Sequence, residues 1–104
     1  MVTNFLKANK LGIIGSIYVQ KGELDKALEY YNKGLEICHQ LGNKLGEAHA
    51  LGAIGLIYLE KGQLDKALTF LENSLKIYRK IDAKHLVNRT EVIINHINKE
   101  LLGV

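Results

Sequence analysis

The sequence predicts an all-α fold: two copies of a helix–turn–helix unit followed by one further helix. Three observations lead to it. First, the chain repeats itself at an offset of 40 residues. LGIIGSIYVQKGELDKAL at 11–28 falls on LGAIGLIYLEKGQLDKAL at 51–68, and residues 11–44 match 51–84 at 16 of 34 positions. Second, apolar residues recur three and four apart, the period of an amphipathic helix. Third, the 104 residues hold no proline to break a helix, yet 10 glycines that need a reason.

The elements follow in order. Leu11, Ile14 and Tyr18 mark the apolar face of a first helix over about 3–20. Lys21-Gly22 then reads as a turn, because glycine takes the positive φ that ends a helix without a Cβ clash. Leu24, Ala27, Leu28, Tyr31 and Leu35 continue a second helix over about 24–41. Asp25 stands in its first turn, where the helix dipole favours a carboxylate. Gly42-Asn43 closes the unit, and Asn43 reads as the N-cap of the next helix. The second copy repeats the scheme. Leu51, Ile54 and Tyr58 lie on a helix over about 44–60, Lys61-Gly62 turns, and Leu64, Ala67, Leu68, Leu71 and Leu75 face inward from a helix over about 64–81. Asp65 takes the place of Asp25. Asp82 reads as the N-cap of a last helix over about 83–101.

Gly15 and Gly55 sit inside helices, where glycine costs about 1 kcal/mol against alanine. The same residue in both copies implies close approach of the paired helix, with Ala27 and Ala67 as the small surfaces opposite. Gly12 and Gly52 read as a second such pair. The tyrosines Tyr18 and Tyr58 read as core, and Tyr30, Tyr31 and Tyr78 as packing between helices.

Leu11-x2-Ile14-Gly15-x2-Tyr18 followed by Ala27-x3-Tyr31 resembles the tetratricopeptide repeat signature. Leu51-x2-Ile54-Gly55-x2-Tyr58 followed by Ala67-x3-Leu71 resembles it again, in phase. The period of 40 is similar to the longer variety found in kinesin light chains and spindle-orientation adaptors. The closing proline is replaced by His39 and Arg79, and the leading aromatic by leucine. The resemblance implies a tetratricopeptide-like array in one domain: repeat one at about 4–42, repeat two at about 43–81 and a capping helix at about 83–101. It also implies a right-handed superhelix whose concave face is lined by the first helix of each unit and binds a protein or peptide.

On that face the first unit would present Asn9, Ser16 and Val19 to a partner, the second His49, Leu56 and Leu59, and the last helix Arg89 and His96. Chaperone-tail receptors of the family clamp a terminal carboxylate with a lysine and an asparagine. Gly12 and Ser16, then Gly52 and Leu56, stand in those places here. The asparagine that the longer variety carries just before the Leu-Gly pair is Ile13 or Ala53.

Continuing the register, Leu11, Gly15 and Tyr18 become Glu91, Asn95 and Asn98. The outer face turns polar, with Ile94 its one apolar residue, as a terminal cap requires. Ile93, Ile97 and Leu101 would face the preceding unit. At the other end Ile13 and Ile17 occupy the places of Ala53 and Ile57, which should be buried between units. An uncovered pair there is the basis of an alternative expectation, a structural homo-oligomer built through that face, most simply a homodimer.

Composition narrows the function classes. The net charge is +3, and Arg79 and Arg89 are the only arginines among 14 basic residues. That pattern weighs against nucleic acid, which favours clustered arginine with interleaved aromatics. The longest uncharged stretch, 48–59, is far short of the roughly 20 residues of a membrane span. One cysteine, Cys38, excludes a disulfide framework and implies a reducing cytoplasm. His85 and His96 lie about 16 Å apart along one helix. Cys38 and His39 point about 100° apart, and no zinc spacing occurs. No phosphate loop or nucleophile motif appears either. The expectation is therefore no catalysis, no metal and no cofactor.

Overall fold

The computed structural model describes residues 2–103. They form five helices: α1 Val2–Gln20, α2 Leu24–Leu41, α3 Lys44–Glu60, α4 Leu64–Lys80 and α5 Lys84–Leu102. Every boundary lies within a residue or so of the sequence expectation. Each helix packs mainly on its chain neighbours, α1 on α2, α2 on α3, α3 on α4 and α4 on α5. The molecule measures 47 × 33 × 18 Å, so it is two helices thick.

The turns obey the repeat. Gly22 and Gly62 take φ of 78° and 79°, and their amides donate to Val19 and Leu59 carbonyls at 3.0 Å. The Asn43 side chain caps α3 by accepting from the Gly46 amide at 3.0 Å. The matching expectation for Asp82 is corrected. Ala83 is the N-cap residue of α5, and Asp82 takes φ 58°. It occupies the left-handed position that Gly42 fills one repeat earlier, and a carboxylate-bearing residue tolerates that position better than a branched one would.

Two glycines are dictated by close approach. A Cβ on Gly55 would stand 2.8 Å from Leu71 Cγ and 3.2 Å from the Ala67 carbonyl. One on Gly15 would meet the Tyr31 ring at 2.9 Å. Gly12 does not follow this rule, since nothing lies within 4 Å of its missing Cβ, whereas at Gly52 the Ser74 hydroxyl stands at 3.3 Å.

The core runs between the pairs. Ile54, Ile57, Ala67 and Ile97 are essentially sealed from solvent. Ala67, Leu71, Leu75, Ile94 and Ile97 form one buried cluster, with Leu59, Leu64, Val87 and Ile93 packed against it. Ile94 thus joins the core instead of the outer face of α5, and Leu101 is 42% exposed instead of facing the preceding unit. Tyr18 and Tyr58 are half-buried, and Tyr58 packs against that cluster. Tyr18 stacks on Tyr30 at 5.4 Å between centroids, and Tyr58 on Phe70 at 5.5 Å. Lys26 and Lys66 lie over the Tyr18 and Tyr58 rings.

Ile13 is 62% and Ile17 46% exposed, while Ile57, the repeat mate of Ile17, is 2% exposed. Ala53, the mate of Ile13, is only half-buried and borders an open cavity instead of being sealed between units.

Candidate groove along the first helices

Two cavities lie along α1, α3 and α5, and His49 borders both. The first, about 150 Å³, sits between α1, α2 and α3 and is lined by Asn9, Gly12, Tyr31, Gly34, Cys38 and Gly46 among others. The second, about 210 Å³ and more open, lies between α3, α4 and α5. Gly52, Leu71, Ser74, Tyr78, Leu86 and Arg89 line it in register with the first set. The cavities are therefore one groove position repeated in successive units.

Helix periodicity explains how the side chains reach it. Asn9, His49 and Arg89 stand at the same place in the three first helices, and each is exposed. Gly34 and Cys38 are one turn apart on α2, as Ser74 and Tyr78 are on α4, and all four are buried. In the second unit Ser74 donates to the Ala48 carbonyl at 2.7 Å. Tyr78 Oη lies 2.7 Å from His49 Nδ1, with the two rings edge to face.

Burial lowers the His49 pKa, and the Arg89 charge lowers it further. The imidazole is thus neutral at neutral pH, and Nδ1 accepts from the phenol when the ring proton sits on Nε2. Burial raises the Tyr78 pKa and keeps that hydroxyl protonated, while Ser74 and Arg89 oppose the shift. Burial also raises Tyr31, against an opposing hydrogen bond from Ser16. Burial and the neighbouring Glu47 carboxylate raise the Cys38 thiol, so the sulfur stays neutral and weakly nucleophilic. Arg89 takes part in none of the ion pairs among the described residues.

The chain matches the tetratricopeptide repeat family over residues 6–80. It belongs to the tetratricopeptide repeat family. Among curated proteins the sequence has no match. Tetratricopeptide repeat domains generally act as protein–protein interaction modules and are typically non-catalytic. Among the described residues no group of three or more His, Cys, Asp or Glu side chains is placed to hold a metal ion. Nor is any helix among them long and apolar enough to cross a membrane.

Of the eight partner-binding residues expected from the sequence, the structure gathers four. Asn9 and His49 border the first cavity, and His49, Leu56 and Arg89 the second. Ser16 lies beside Tyr31 but borders neither cavity. Leu59 packs against the buried cluster, and Val19 is its half-buried mate. His96 stands 3.9 Å from Glu100 near the end of α5, away from both cavities. Sequence reasoning passed over the second-helix wall: Gly34 and Cys38 in unit one, Ser74 and Tyr78 in unit two. The copies disagree at these positions, but also at many others, and alignment alone does not mark them out.

Proposed function

We propose that this tetratricopeptide repeat domain binds an extended peptide segment of a partner protein in the groove along α1, α3 and α5. The segment is apolar where it crosses Leu56 and acidic where it reaches Arg89. The observation that carries the reading is His49 bordering both cavities, which supports treating them as one track. Leu56 is 44% exposed at the edge of that track. Arg89, which makes no ion pair among the described residues, favours a carboxylate there, since charge-assisted hydrogen bonds are the strong ones. The 40-residue period supports grouping this groove with those of the kinesin light chain and spindle-orientation adaptor variety. The lone Cys38 supports a cytoplasmic setting.

The test is selection of peptides from a random library, followed by titration against variants. Leu56→Asp should weaken the selected peptides tenfold or more with the helical signal intact. Arg89→Gln should weaken the acidic ones several-fold and flatten their salt dependence. Peptides that bind both variants like the parent chain would remove the site from this groove. Leu59→Asp is unsuitable, because its carboxylate would enter the core.

A second reading, homodimerisation through Ile13 and Ile17, is favoured by the exposure of both and by the sealing of Ile57 at the place of Ile17. Burying an isoleucine contributes about 1.5–3 kcal/mol, and a two-fold pair would bury four. Sedimentation across a concentration range should show a dimer that Ile13→Glu/Ile17→Glu abolishes; a chain that stays monomeric throughout ends this reading.

A further inference from the structure

The first cavity is the place where unit one lacks a side chain that unit two supplies for itself. Position for position, Cys38 stands where α4 has Tyr78, and Gly34 stands where it has Ser74. In unit two the Tyr78 ring is 5% exposed and fills the space between α3 and α4, its hydroxyl held by His49. Ala48 and Ala83 accordingly do not border the second cavity. In unit one their mates Ala8 and Asn43 do border the first. The hollow extends toward the α2–α3 turn, into the region where a tyrosine at position 38 would lie.

We propose that this cavity is a specificity pocket for one aromatic side chain of the bound peptide, with tyrosine preferred over phenylalanine. The pocket rests on the groove reading above and adds the residue the groove selects. Three features fit the occupant. An apolar cavity of about 150 Å³ accommodates a benzene-sized ring, and this one measures about 150 Å³. Ala8, Ala50, Cys38 and Tyr31 give it an apolar wall, and offset or edge-to-face contact with Tyr31 suits a second ring. At its rim Asn9 stands where His49 stands in unit two. Just as Tyr78 meets His49, the guest hydroxyl meets the Asn9 amide, which can accept its proton. Phenylalanine would leave that amide without this bond.

The experiment uses p-cresol and toluene, the side-chain analogues of tyrosine and phenylalanine, titrated into the full chain and followed by amide NMR. Saturable shifts are expected at Gly12, Gly34 and Gly46. p-Cresol should bind roughly five- to tenfold tighter than toluene, the worth of one hydrogen bond. Asn9→Leu should erase that preference while toluene binding persists. Gly34→Ser/Cys38→Tyr, which copies unit two into unit one, should abolish both titrations. If that pair impairs folding, Gly12→Leu serves instead, because its side chain enters open space at the cavity mouth.

Absent saturable shifts at the three glycines, or unchanged titrations in the folded filling variant, would overturn the pocket. Equal affinities for the two probes would overturn the role of Asn9. The outcomes separate from those of the groove reading. Leu56-dependent peptide binding without p-cresol entry sinks the pocket alone, and p-cresol entry in a chain that selects no peptide sinks the groove.

Discussion

The two repeats are built on one plan and finish it differently. Unit two lines its groove wall with its own side chains: Ser74 bonds the Ala48 carbonyl and Tyr78 bonds His49. Unit one has Gly34 and Cys38 in place of the serine and tyrosine, so its hollow reaches Ala8 and Asn43, whereas the wider hollow of unit two lies toward Leu56 and Ile93. The identical positions set the helix pair, and the differing positions set what the groove can hold. A solenoid can vary in this way because each unit needs only its neighbours to stay folded.

The largest expected effect tests how tightly each pair is closed. Gly55→Leu forces atoms against both Leu71 and the Ala67 backbone, and overpacking of this kind costs about 1–3 kcal/mol or more. Gly15→Leu meets only the Tyr31 ring, which has the cavity beside it to move into. Denaturant melts should therefore show the second substitution as the milder one. Equal losses would mean that the units close alike.

Exchanging wall residues comes next. Ser74→Ala removes a buried hydrogen bond and leaves the Ala48 carbonyl short of a partner, a loss of about 1 kcal/mol. Gly34→Ser makes the converse change. A Cβ there would lie 3.6 Å from the Ala8 carbonyl, the mate of the Ala48 carbonyl, so the new hydroxyl can reach it. With the helix-propensity gain over glycine, the variant should be stabilised by about 1 kcal/mol. A destabilised Gly34→Ser would show that the walls are not equivalent.

The helix plan was legible because periodicity, glycine turns and the Asn43 cap are local signals, repeated in phase. The groove was legible in part. Asn9, His49, Leu56 and Arg89 follow from register on the first helices, whereas the other wall is defined by what side chains leave empty. Absent volume at Gly34 and Cys38 carries no periodic signature. Leu59 looked available because register gives its direction but not the depth of the α4 and α5 side chains that pack against it. Asp82 looked like a cap by residue type, and its φ of 58° shows it standing in for a glycine. Register alone puts Ile94 on a free face, but α5 turns it onto the buried cluster.

Two smaller effects sharpen the comparison further. Asp82→Gly restores at the second unit's end the residue that Gly42 supplies at the first. Melts should show a gain of a few tenths to about 1 kcal/mol, the relief of left-handed strain less the added chain entropy. The His49 titration is the subtlest. Its folded pKa lies below the unfolded value of about 6.5. The unfolded chain then binds more protons, so this contribution is complete above that value and is lost as pH falls through the window beneath it. Arg89→Gln should move the His49 NMR midpoint upward; an unmoved midpoint would remove Arg89 from the electrostatics of the groove.

The most direct test of the groove itself is an amide NMR map of a library-selected peptide on the full chain. The account predicts shifts that run continuously from Gly12 and Gly46 through His49 to Gly52 and Arg89, on one side of the molecule. Shifts centred on Ile13 and Ile17, or on the stacked Tyr18–Tyr30 and Tyr58–Phe70 pairs, with the groove glycines unmoved, would contradict it.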